Sequence, residues 1–260
     1  MQKVLMCPPK YYDVEYEINP WMHMENQPDK QKAHKQWQTL HDLYISLGVE
    51  VELIKQQKGL PDMVFTANGG MVKGNTFISG NYRYKERKGE EIHFQKWFSD
   101  HGFKVEKLKH FQGGEGDALF YKNTLYMGYG FRSDIEVHKE IGTILNVPTV
   151  SFQLIDPYFY DFDTAFCPMG DRGVLYYPLA LSEKDRERAG SLENAVEMTK
   201  EQAENFVGNS VFVNGKLLVS FLDDDLKKKL AKFDIEPILL NMSEFKKAGG
   251  GIKCLTLYIF

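Results

Sequence analysis

GDALFYKN, residues 116–123, sets one polar side chain, Asp117, directly before a short apolar run and ends in a turn at Lys122-Asn123. That is the pattern of the first strand of a β-hairpin. Four more stretches repeat it: Asp62 before MVFT, Asp163 before TAFC, Asn209 before SVFV and Cys254 before LTLY. A helix-plus-strand stretch precedes each. Residues 30–46 carry Trp37, Leu40, Leu43 and Tyr44 at helical spacing, Gly48 stops the helix, and VEVELI follows as a strand. The same grammar predicts helices over 90–100, 133–145 and 222–232, followed by FKVEKL, VPTVSFQL and IEPILL, with SEKDRERAG leading into AVEMT in the fourth unit. Asn214-Gly215 supplies another hairpin turn.

Two strands lack partners. CLTLYIF (254–260) has no returning strand, and KVLMC (3–7) has no hairpin mate. Pairing them completes a fifth unit and closes a ring, which removes exposed sheet edges. Helix–strand–hairpin alternation is common in α/β chains, but the matching terminal gaps favour the ring. The expectation is therefore an α/β fold: one domain, 1–260, forming a five-bladed pseudo-fivefold α/β propeller closed by its N- and C-terminal strands. Equivalent positions about such an axis converge. Three carboxylates, an amide and a thiol would meet, a composition suited to gripping a cation and attacking it with sulfur.

The bulk properties narrow the class. A formal net charge of -4 with interspersed charges gives no basic stripe, which excludes nucleic acid as a partner. No apolar run reaches the length of a membrane helix, and no signal-peptide pattern opens the sequence. The hydrophobic fraction of 43% supports a substantial core. Cys7, Cys167 and Cys254 form no CxxC pair, so a reduced, cytoplasmic setting is expected. The partner implied is a small molecule; a homo-oligomer is left open. None of the 7 His falls within the acidic motifs, so no metal is expected, and no cofactor.

Cys254 follows Gly249-Gly250-Gly251. A cysteine at a strand start is ordinarily a buried small hydrophobe. Behind three glycines, in line with the acids, it reads instead as a nucleophile whose thiolate a cationic substrate would stabilise. Asp161 and Asp163 flank Phe162, and strand alternation would put both on one face. A guanidinium, planar with five donors, matches two carboxylates. Asp156 and Asp171 read as turn residues or caps, and Lys227–Lys229 with Asp223–Asp225 as a solvated helix. Arg132 in GYGFRS and Arg87 in YKERKGEE suit a substrate carboxylate, although Arg87 reads equally well as a surface charge. Asn19 and Asn68 lie in turn-like settings, and residues 75–91 read as a lid or as a plain exposed connection.

MCPPKYYDVEYEINPWM, PDMVFTANGG, GDALF, GYGFRSDIEVH, FYDFDTAFCPM and GGGIKCLTL, in that order over nearly the whole chain, resemble the guanidino-group-modifying superfamily of arginine deiminases, dimethylarginine dimethylaminohydrolases and amidinotransferases. The match is nearest to the arginine dihydrolase domain. The resemblance implies the five-bladed pentein propeller and a hydrolase of arginine metabolism acting on C–N bonds of linear amidines. It implies Cys254 as the nucleophile that forms a covalent amidino-thioether, with Asp117 and Asp163 on the guanidinium and Arg132 on the α-carboxylate. Asn19, Asn68 and Arg87 would complete the substrate site. Two positions depart from the pattern. The family's acid/base histidine is replaced by Asp161, which is expected to serve in its place. The family's glutamate before GD is displaced, with Glu115 compensating. A catalytically impaired binder of an arginine-like ligand and an amidinotransferase are the alternatives.

Overall fold

The computed structural model describes residues 2–259; Phe260 of the CLTLYIF stretch lies outside them. Five three-stranded sheets are present, each built by one rule. The middle strand pairs antiparallel with an inner strand, through a hairpin in four of the sheets, and parallel with an outer strand that follows a helix. The inner, middle and outer strands of one sheet are Ala118–Tyr121, Thr124–Tyr129 and Thr149–Gln153. Inner strands are largely buried and outer strands half-exposed, as expected where each sheet turns one edge to the axis and the other to solvent.

Closure follows the predicted pairing. Lys3–Met6 runs antiparallel to Leu257–Ile259, with Leu5 opposite Leu257, and parallel to Glu50–Leu53. Leu5 and Leu257 then pack with Val72, Phe77, Phe94 and Phe98 of the neighbouring sheet and its helix. On the other side, Val4 and Val49 share a core with Val211, Leu218 and Leu240. Consecutive sheets therefore touch all the way round.

Helix limits obey local chemistry. Lys30–Ser46 is capped by Asp29, whose side chain accepts from Lys32 N, and it buries Ala33, Trp37, Leu40 and Tyr44. The third predicted helix begins at Glu136 rather than Ser133, because Ser133 is drawn into the interior. Asn214 and Gly215, with φ of 48° and 79°, form the left-handed pair that a two-residue hairpin requires.

One part of the repeat reading is corrected. Only at Asp117 does the strand start at once. Asp62 lies in the 3-10 turn Pro61–Val64, and the inner strand begins at Gly70 after a second such turn, Thr66–Gly69. Strands follow Asp163 and Cys254 only at Phe166 and Leu257. The apolar run marks the approach to the axis, and tight turns there orient the polar side chains. Residues 75–91 are likewise not an open lid throughout, since they include the strand Thr76–Ser79.

Candidate active site

The turns that precede the inner strands deliver the predicted side chains to one buried place. Cys254, Asp163, Asp161, Asn68 and Asp117 are all 2% exposed or less. The thiol of Cys254 lies 3.4 Å from Asp163 Oδ2 and receives Asn209 Nδ2 at 3.1 Å, while Asn209 Oδ1 accepts from the Cys254 backbone N at 3.1 Å. The preceding glycines make this approach feasible. A Cβ on Gly251 would come within 2.9 Å of Asn209 Oδ1, and Gly249 has φ +80° with Asn19 Oδ1 and Tyr160 OH close by. Half-buried Asn19 donates to Ala248 O at 3.1 Å, and so braces the glycine turn.

Asp161 and Asp163 do not alternate along a strand; Asp161 occupies the N-cap of the 3-10 turn Phe162–Thr164 and Asp163 lies within it. Asp161 Oδ2 accepts from Asn68 Nδ2 at 3.1 Å and Arg132 Nη1 at 3.3 Å. Arg132 stacks 4.2 Å over the Tyr160 ring. Buried without any partner are Asp161 Oδ1, Asp163 Oδ1, Asp62 Oδ1 and Arg132 Nε. Unmet hydrogen-bonding capacity this concentrated is costly to a folded chain, and three of these four atoms are carboxylate acceptors.

The surface reading of Arg87 is overturned: it is 2% exposed. Its guanidinium grips Glu90 through Nε and Nη2 at 2.9 and 2.8 Å, and bonds Asn68 Oδ1 and the Asp62 carbonyl. Arg87 thereby fixes the amide of Asn68 so that Nδ2 faces Asp161. Glu90, three residues on from Arg87, carried its signal in that spacing. Asp117 places Oδ1 on Phe162 N at 2.9 Å and Oδ2 on Ser133 Oγ at 2.6 Å.

Glu115 stands apart from this cluster. It is held by Lys253 Nζ at 2.7 Å and by Tyr258 N at 3.1 Å, and the pair lines a separate cavity of about 210 Å³ with Phe166, Cys167 and Ser210. The charge that crowds Asp117 and Asp163 is that of Asp161, not of Glu115. Breaking a buried ion pair strands a charge. Lys253→Met is therefore expected to cost about 3–5 kcal/mol in urea unfolding, and the double change with Glu115→Leu to recover most of it.

Burial is the main cause that raises Asp163 to about 8, with the Asp161 charge adding to it. Burial, then Asp163 and Asp161, pushes the Cys254 thiol well above its ordinary value. Both directions reverse when a cation enters, since positive charge favours carboxylate and thiolate alike. Among the described residues no imidazole bonds the thiol or these acids. His138 is engaged by Ser151 Oγ at 2.7 Å and the Gly128 carbonyl at 3.2 Å. No group of three metal-ligating side chains is arranged to hold an ion among the described residues. No helix there is long and apolar enough to cross a membrane.

The chain is similar to known proteins over nearly its whole length. Residues 13–260 match the family model described as N,N dimethylarginine dimethylhydrolase, eukaryotic. A bifunctional arginine dihydrolase/ornithine cyclodeaminase, ArgZ of Synechocystis, is 41% identical over 99% of the chain, which spans 37% of that protein's length. An N(G),N(G)-dimethylarginine dimethylaminohydrolase of Mycobacterium tuberculosis is 36% identical over 99% of the chain and 86% of its own. The substrate-bound N-terminal domain of ArgZ, an arginine dihydrolase of cyanobacteria, superposes with a TM-score of 0.95 at 39% identity, covering 100% of this chain and 98% of that one.

Proposed function

Because the chain belongs to the N,N-dimethylarginine dimethylhydrolase family, we propose that it is a thiol-dependent hydrolase of a small guanidino compound, arginine or a derivative. The observation that carries this reading is the Cys254 sulfur held 3.4 Å from Asp163, beside two buried carboxylate oxygens with no partner.

The substrate's guanidinium lies against Asp161 and Asp163, its N–H groups donating to the two unpartnered Oδ1 atoms. The Cys254 sulfur adds to the guanidinium carbon, and a C–S bond forms as a C=N bond becomes single. The thiol proton passes to Asp163 Oδ2 and on to the departing nitrogen, so C–N cleavage releases ammonia or an amine. An amidino-thioether remains. Water then adds at the same carbon, the C–S bond breaks, and the proton returns to sulfur, leaving a ureido product. Asp163, which touches the thiol, and Asp161, which faces the same cation, carry the proton transfers for which an imidazole is commonly used. Arg132, with Nε free, is placed for a substrate carboxylate, and Asp62, whose Oδ2 faces Arg87 Nε at 4.0 Å, keeps Oδ1 for an ammonium. Arg87 is engaged at all three nitrogens and supports Asn68 from behind.

The two unpartnered acceptors are matched by two N–H groups of the guanidinium, a requirement that arginine and its methylated forms both meet. The test is incubation with arginine, dimethylarginine and agmatine while following ammonia, citrulline and ornithine. Ornithine without accumulating citrulline identifies two successive hydrolyses. A second reading, a binder without turnover, is favoured by the absence of an imidazole against the thiol among the described residues. It wins if the protein binds these compounds, hydrolyses none, and gains activity on Asp161→His.

A further inference from the structure

Asp117 is the one acid of the cluster whose two oxygens both have partners inside the protein. Ser133 Oγ accepts from Gly113 N at 3.0 Å, which directs the hydroxyl proton toward Asp117 Oδ2 at 2.6 Å. Asp117 Oδ1 accepts from Phe162 N, the amide between Asp161 and Asp163. The chain Gly113 N, Ser133, Asp117, Phe162 N thus ties one sheet to the turn of the next. It is also tightly packed: a Cβ on Gly128 would lie 2.5 Å from Phe162 Cβ and 3.1 Å from Asp117 Oδ1.

We propose that Ser133, acting through Asp117, is the positioning residue that sets the Asp161–Asp163 turn for recognition of a guanidinium. Neither residue touches the substrate in this role, which departs from the guanidinium contact expected of Asp117, because both of its oxygens are already taken. Asp161 Oδ1 and Asp163 Oδ1 are presented as a pair because the amide between their residues is pinned from behind. The inference rests on the guanidine-binding reading above, and it adds that the hydroxyl of Ser133 governs discrimination between a cation and a neutral group of similar shape.

The test compares alkylation of Cys254 by cationic 2-chloroacetamidine and by neutral iodoacetamide, neither of which needs turnover. Ser133→Ala is expected to lower the ratio of the two rates about tenfold, the loss expected from one buried hydrogen bond. The neutral reagent's rate should change less than about twofold, and Ser133→Thr, which retains the hydroxyl, should recover most of the ratio. An unchanged ratio in Ser133→Ala, or an equal fall with both reagents, overturns the proposal. Should Ser133→Ala fail to fold in a thermal melt, Asp117→Asn carries the test, since its Oδ1 can keep the Phe162 N contact and its Nδ2 can meet the Ser133 hydroxyl by donating to it, without the charge. A ratio as low as that of free cysteine in Asp117→Asn would mean that Asp117 acts by charge, and the positioning role falls. If no guanidine is hydrolysed by the wild type, the reading of the previous subsection fails while this measurement still stands.

Discussion

Cys254→Ser is expected to reduce guanidine hydrolysis at least about 10⁴-fold, to below detection of released ammonia. Oxygen fits the space left by sulfur, so the variant should keep its melting temperature and still bind substrate. A serine hydroxyl ionises far less readily than a thiol. In this pocket, where burial and Asp163 already disfavour a second negative charge, it has no route to an anion. The wild type quenched in acid during turnover should carry the mass of an amidino group on Cys254, and the variant none. Turnover persisting in Cys254→Ser would exclude sulfur as the nucleophile.

The second large effect is at Asp163. Asp163→Asn removes the only carboxylate in contact with the thiol among the described residues, and one of two acceptors for the cation. A loss of about 10³-fold in kcat/KM is expected, since a buried charge-assisted contact and the proton acceptor vanish together. The same residue governs stability of the ligand-free protein. Its folded pKa of about 8 lies above the ordinary 3.8, so its contribution is fully present in acid and is lost as pH rises toward 8. Asp117, also raised by burial and Asp161, acts in the same sense; Asp62, raised by burial to about 6, has finished by then. Buried His138, lowered to about 4, opposes below 6.5, where stability falls with falling pH. The clear window is therefore pH 6.5–8. There the wild type should lose roughly 2 kcal/mol or more in denaturant titrations, and Asp163→Asn should show a flatter dependence by about one proton. A pH-independent wild type would contradict the buried, protonated acid.

How legible was this in the sequence? The helix Lys30–Ser46 and the outer strands were readable because a periodic apolar face and a capping residue are local signals. The closing pair Lys3–Met6 with Leu257–Ile259 was readable only by counting strands, since its partners stand at opposite ends of the chain. The turns at the axis were not readable. FTANGG and FDTAF have the composition of strands or loops, and their 3-10 geometry is imposed by neighbouring sheets. Cys254 and Asp163 meet because each stands three residues before its inner strand, at Leu257 and Phe166, while Asn68 and Arg132 reach Asp161 from turns of other sheets. Glu115 went astray because its side chain follows Lys253, which no local pattern announces. Ser133 escaped notice beside Arg132, because a serine's meaning depends on which way its hydroxyl points. Arg87 looked superficial in a polar stretch, yet Glu90 and Asn68 draw it inward.

The junction between Lys3–Met6 and Leu257–Ile259 has the same antiparallel pairing as the four hairpins, with Lys3 opposite Ile259. Topologically it is a fifth hairpin whose loop happens to be cut. The position of the cut is then a matter of convenience. A circular permutant that joins residues 259 and 3 by a short turn, and opens between Asn214 and Gly215, should refold to the same ring. Its reordered chain should still alkylate at Cys254 with a preference for the amidine.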